Sequence, residues 1–208
     1  MPRSGFGKDS VEVEGYVRGF ARRRGDVELS VLRFANIIGP RIATPMTDYF
    51  TMPVIPTVLG FDARLQFVHE DDALAALLKA TLASGVGTVN VAGDGVLALS
   101  QAARLAGRAT LPVPAPLGGW VTQVVRRSGL ADFSAEQLQF LAYGRVLDTA
   151  RMREVLGFQP SHTTRSAFED FVAAGRGAAV PLVAGLQAAA SQAERLLAGS
   201  LQRAGASS

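Results

Sequence analysis

The side chains of this 208-residue chain that could do chemistry fall in a few places. Asn36 follows an apolar run and precedes Gly39-Pro40. An amide both donates and accepts hydrogen bonds, so it suits a polar ligand, and it suits a loop fixed by its own side-chain to backbone bonds just as well. His69 and Asp72 stand where an extended run gives way to a helix. By position alone they supply a strand-end hydrogen bond and a helix cap. Arg33 and Arg64 could meet a phosphate, but Arg33 lies beside Phe34 in an apolar strand and is expected to pair with a carboxylate. Gly93-Asp94-Gly95 lacks the third glycine of a dinucleotide loop and reads as a turn.

Composition narrows the chemistry further. With no cysteine there is no disulfide, no thiolate catalysis and no cysteine zinc site, and the two histidines, His69 and His162, are too far apart in sequence to predict a metal centre. The pI is near 9.8, yet the net charge is only +3, and of the 21 basic residues only Lys8 and Lys79 are lysines. The densest basic run, Arg18 with Arg22-Arg23-Arg24, falls at a helix end where it complements the dipole. It reads as a solvated terminus rather than a phosphate patch, and nucleic acid is not an expected partner. The sequence contains no run of about 18 uncharged apolar residues and Met1-Pro2-Arg3-Ser4-Gly5 has no apolar signal core, so a cytoplasmic location is expected.

Periodicity supplies the elements that must position these residues. Asp9-Ser10-Val11-Glu12 has the form of a capping box, and Val13, Tyr16, Val17, Phe20 and Ala21 recur at helical spacing up to Gly25, predicting a helix with one buried face. Residues 27–34 and 88–91 read as strands of a covered sheet. Four prolines between residues 36 and 60 predict a shaped loop with at most a short helix over 47–52. A strand over 64–69 leads into a helix over 71–83, and a short extended piece at 96–99 leads into a helix over 100–106. Further helices are predicted over 119–127, 134–141, 149–156 and 165–174. Beyond Gly175, Leu182, Leu186, Ala189, Ala193, Leu196, Leu197 and Leu201 form one apolar stripe, which predicts an amphipathic tail over 175–208 that packs on the body, a second copy or another partner. Helix alternating with strand places the chain in the α/β class.

Four segments, in order, resemble the C-terminal half of the extended short-chain dehydrogenase/reductases, the NAD-dependent epimerase/dehydratase family. Phe6-Gly7-Lys8-Asp9-Ser10-Val11-Glu12-Val13-Glu14 resembles that family's active-site helix, and Leu32-Arg33-Phe34-Ala35-Asn36-Ile37-Ile38-Gly39-Pro40 is similar to its Arg-x-x-Asn-x-x-Gly-Pro strand and loop. Leu65-Gln66-Phe67-Val68-His69-Glu70-Asp71-Asp72 is similar to its strand ending in His-x-x-Asp. Leu147-Asp148-Thr149 through Leu156-Gly157-Phe158-Gln159-Pro160 resembles its closing Leu-Gly-aromatic-x-Pro.

The resemblance implies the C-terminal part of a Rossmann-like NAD(P)-binding fold over residues 1–174, with a small, mainly α substrate-binding region. It begins in the middle of the family's domain, so the N-terminal βαβ unit that holds the dinucleotide is expected to be absent. NAD or NADP is then expected for a complete form and not for this chain alone. Asn36, His69 and Asp72 fall at substrate-side positions, Phe34 at a cofactor-side position, and the implied ligand class is a small molecule such as a sugar nucleotide. Leu65 stands where sugar-nucleotide epimerases often carry an arginine. The family's catalytic tyrosine and lysine correspond to Phe6 and Ser10, which have no exchangeable phenol and no charge. Nor does another pair replace them, because four residues after Tyr16, Tyr49 and Tyr143 come Phe20, Pro53 and Leu147. The chain therefore reads as a catalytically impaired relative. The alternative is a non-enzymatic regulatory protein that binds a dinucleotide or another small ligand.

Overall fold

The computed structural model describes residues 5–114 and 143–175, with side chains from Asp9 onward. Helix α1 spans Gly5–Arg23 and carries Arg22 and Arg23 in its last turn, where the carbonyl end favours positive charge. The Asp9-Ser10-Val11-Glu12 pattern lies inside this helix rather than at its start. The predicted buried face is also absent among the described residues. Val13 is 59% exposed and Tyr16 72%, and Phe20 is exposed as well. Spacing therefore identified the helix, whereas burial depends on what packs against it.

The two predicted sheet strands pair with each other. β1 (Val31–Phe34) runs parallel to β6 (Thr88–Val91), with Arg33 opposite Asn90 and Phe34 opposite Val91. The Ala35 N–H still bonds the Val91 carbonyl at 2.9 Å, after which the chain changes neighbour. β2 (Asn36–Ile38) pairs in parallel with β5 (Phe67–His69). The predicted strand over 64–69 is two strands, because Gln66 separates β4 (Arg64–Leu65), antiparallel to β7 (Leu97–Ala98), from β5.

More order exists between residues 36 and 60 than the prolines predict. Helix α2 (Pro45–Thr51) starts at a reciprocal capping box between Thr44 and Thr47, with Pro45 in the first turn where its missing N–H costs nothing. β3 (Val54–Val58) then pairs in parallel with β8 (Ala109–Val113). Pro56 and Pro112 hide both strands from a sequence reading. In a two-stranded pair each strand keeps an open edge, so a proline is tolerated there.

Helices α3 (Glu70–Leu82), α4 (Leu99–Leu105), α5 (Ala150–Glu154) and α6 (Thr164–Ala173) lie close to their predicted positions. The helices predicted over 119–127 and 134–141, and the tail beyond Gly175, lie outside the described residues. Two cores result. In the first, the Phe67 and Phe168 rings stack at 5.6 Å and Phe50 meets Phe168 edge-on at 4.8 Å. In the second, Ala73, Ala76 and Ala80 of α3 pack with Val89, Val91, Met152 and Leu156, while Leu74, Leu77, Leu78 and Leu82 face outward. The described residues thus form an α/β structure of parallel strand pairs and helices, a partial Rossmann-like fold.

Candidate functional site

Asn36 sits where the extended chain leaves β6 for β5, next to the end of β1. In open α/β sheets such a change of neighbours at strand ends makes a crevice for ligands. The side chain is half-buried, and its amide makes no hydrogen bond among the described residues. Phe34, two residues earlier, packs against the second core. The loop beyond β2 then folds over the start of α3. A Cβ on Gly39 would lie 2.6 Å from the Glu70 side chain, so this close approach needs glycine. Glu70 in turn accepts from the Arg41 N–H at 3.2 Å and from Arg41 Nε at 2.8 Å, and Arg41 Nη2 reaches Asp71.

His69 ends β5 and caps α3. Its Nδ1 accepts the Asp71 N–H at 3.2 Å, which leaves Nε2 to carry the proton and donate to Asp170 of α6 at 3.0 Å. Asp72 is buried and accepts from the Ser161 N–H at 2.8 Å, the His162 N–H at 3.0 Å and His162 Nδ1 at 3.2 Å. Burial alone raises the Asp72 pKa, but the hydrogen bonds from Ser161 and His162 together hold it below the usual carboxylate range. The His69 and His162 rings stack at 3.9 Å. The structure therefore brings His69 and Asp72 together with His162 and Asp170, and the contacts of all four hold α3, the 161–163 turn and α6 to one another. Asn36 differs in keeping its amide unspent among the described residues.

Of the two positions that the resemblance matches to a catalytic tyrosine and lysine, Phe6 lies in the first turn of α1 with its side chain outside the described residues, and Ser10 is exposed one turn later. The helix is tied to the sheet by Arg33, which donates to both Glu14 oxygens at 2.6 and 2.5 Å, as its strand position predicted. Arg18 adds a third bond to Glu14 at 3.0 Å. The hydrogen bond from Arg33 is the main reason the Glu14 pKa is lowered. Among the described residues no group of three or more His, Asp or Glu side chains is placed to hold a metal, and no helix is long and apolar enough to cross a membrane.

No protein-family model matches the chain. Uncharacterized proteins of Mycobacterium tuberculosis and Mycobacterium bovis are 49% identical to it over 174 residues, covering 83% of this chain and 46% of theirs. The chain thus spans about half the length of the curated relatives it matches. Among solved structures, UDP-glucose 4-epimerase of Thermotoga maritima with UDP-glucose superposes at a TM-score of 0.59 and 20% identity, over 85% of this chain and 54% of that one. The Thermus thermophilus UDP-glucose 4-epimerase complex with NAD gives 0.59 and 20%, over 86% and 56%. UDP-glucuronic acid 4-epimerase of Bacillus cereus with NAD gives 0.57 and 12%, over 84% and 53%. The chain shares the fold of about half of each epimerase.

Within this epimerase-like fold, three residues that the sequence did not mark as site candidates hold the crevice together. Gln66 is buried between β4 and β5, donating to the Gly93 carbonyl at 3.1 Å and accepting the Leu147 N–H at 2.8 Å. Thr164 Oγ1 donates to the Gly93 carbonyl at 3.2 Å and accepts the Phe67 N–H at 3.3 Å. At Gly93 an added Cβ would lie 2.9 Å from the carbonyl oxygens of both His162 and Phe67. The available signal was Gln66 itself, an amide between the apolar Leu65 and Phe67 that must find partners if buried. Gly93-Asp94-Gly95 is a bend, with Gly95 at φ +82° and the Asp94 carbonyl accepting the Thr164 N–H.

Proposed function

We propose that the chain is the substrate-side part of an NAD(P)-dependent protein related to sugar-nucleotide epimerases and dehydratases, with its proton-exchange pair replaced. The observation that carries this reading is Asn36, a half-buried amide at the change of strand neighbours with no hydrogen-bond partner among the described residues. A ligand hydroxyl or carbonyl would satisfy it. The fold shared with epimerases solved with UDP-glucose and with NAD supports the same ligand classes.

In this reading Asn36 grips the sugar nucleotide, His69 and Asp72 hold α3 and the 161–163 turn in place behind it, and Phe34 stands on the cofactor side. Residues 1–174 act as one unit and 175–208 as a helical tail that meets the body, a second copy or another partner, in the cytoplasm. The dinucleotide, NAD or NADP, is the cofactor of the complete family form, which holds it on a Gly-rich strand-turn-helix unit. Phe6 and Ser10 leave no phenol to exchange a proton and no lysine to lower its pKa, so turnover is weak or nil. The types of those two residues also favour a second reading, in which the protein binds a dinucleotide or another small ligand as a signal.

Titrating the chain with UDP-glucose by ligand-observed NMR tests the site. Saturable binding, weakened about tenfold or more by Asn36→Ala without loss of fold, is the expected result. No binding, or binding indifferent to Asn36, overturns it. Hydride-transfer assays on a longer form separate the two readings, since binding without turnover favours the signal-binding one.

A further inference from the structure

The β1–β6 pair has two faces. Leu32, Phe34, Val89 and Val91 turn into the second core, whereas Arg33, Thr88 and Asn90 alternate to the other side. There they line a cavity of about 340 Å³, completed by Arg18 of α1, Asp148 and Arg151 of α5. Three guanidinium groups from three separate elements thus share one cavity.

Their charges are not fully matched. Glu14 serves both Arg33 and Arg18, and Asp148 uses Oδ1 to accept the Ala150 N–H at 2.9 Å. Arg151 donates from Nε to the Thr88 carbonyl at 3.1 Å and from Nη2 to the Val86 carbonyl at 3.4 Å, so among the described residues it bonds dipoles and no carboxylate. Among the described residues, three cations face two carboxylates. Hydrogen bonding is lopsided in the same sense. Arg18 Nε and Nη1, Arg33 Nη1, Arg151 Nη1 and the Thr88 hydroxyl have no partner among the described residues, and the unspent charged acceptor on the lining is the second Asp148 oxygen.

A cavity rich in guanidinium donors and poor in acceptors fits a ligand made only of acceptors, and planar guanidinium forks match phosphoryl oxygens. We propose that this cavity binds a phosphoryl group, from inorganic phosphate or pyrophosphate or from a phosphorylated metabolite. The site goes beyond the crevice at Asn36, since it lies on the face of β1–β6 turned away from the second core. It also divides the basic run of α1. Arg18 lines the cavity, while Arg22 and Arg23 end the helix.

The test is a titration of the ¹⁵N-labelled chain at low salt with inorganic pyrophosphate, inorganic phosphate and glycerol phosphate in separate arms. Expected are saturable shifts of the Thr88 amide, the Asn90 side-chain amide and Arg Nε signals, weakening as ionic strength rises. Arg18→Gln, an exposed helix position, should weaken binding about fivefold, whereas Arg165→Gln, whose guanidinium pairs with Glu169 on α6, should leave it unchanged. The pyrophosphate and glycerol phosphate arms decide whether an inorganic anion or an ester is preferred. No saturable shift in any arm up to millimolar ligand overturns the proposal, as does equal weakening by the two substitutions.

Discussion

Helix α3 and helix α1 are each tied to a neighbouring segment by a carboxylate, and the two attachments differ in what surrounds them. Asp72 of α3 is buried and accepts two backbone N–H groups and an imidazole nitrogen. Glu14 of α1 meets two arginines whose side chains are 43% and 62% exposed, and Val13 and Tyr16 beside it face water. An ion pair in water is worth little, because solvent already stabilises both charges and ordering long side chains costs entropy. A buried carboxylate with backbone partners cannot be removed cheaply, since its donors are left without water. The first attachment joins α3 to the 161–163 turn; the second only locates a helix.

The largest effect that should separate them comes from Asp72→Ala, which strands the Ser161 and His162 donors. A loss of about 3 kcal/mol in urea unfolding is expected, and a loss under about 1 kcal/mol would break the comparison. Next in size is Gly93→Ala, where the new methyl meets two carbonyl oxygens of neighbouring segments. It should cost about 2 kcal/mol and weaken ligand binding at Asn36 through displacement of the 162–164 backbone.

Acid provides a graded version of the same test. The Asp72 pKa is lowered in the folded protein, so its contribution is fully present above the unfolded value of about 3.9 and drains away as pH falls through the folded value. The stability gap between wild type and Asp72→Asn should therefore narrow below about pH 4; a gap that widens on acidification would reverse the assignment. The smallest effect is expected from Glu14→Gln, about 0.5 kcal/mol and reduced by added salt. A loss several times larger would mean that α1 is held far more firmly than its exposed contacts indicate.

Much of the secondary structure was legible because its causes are local. The alanines and leucines of α3, the Thr163–Ser166 cap of α6 and the β-branched run of β6 lie within a few residues of one another. Where the cause was remote, reading failed in characteristic ways. The strand over 64–69 reads as continuous until Gln66 is seen reaching Gly93 and Leu147. The apolar face of α1 reads as buried until its surroundings are known. Asn36 was recognisable as a candidate from its type and setting, yet nothing local distinguishes an amide that fixes its own loop from one left unspent.

By itself, then, the sequence determined the α/β class and, among the described residues, the helices and the β1 and β6 strands, since each depends on residue type or short-range periodicity. Only the tertiary structure decided the change of neighbours at Ala35, the pairing of proline-bearing β3 with β8, and the gathering of His69, Asp72, His162 and Asp170. These depend on groups tens of residues apart in the chain, and in the His–Asp cluster about 90 to 100, and no local pattern carries that information.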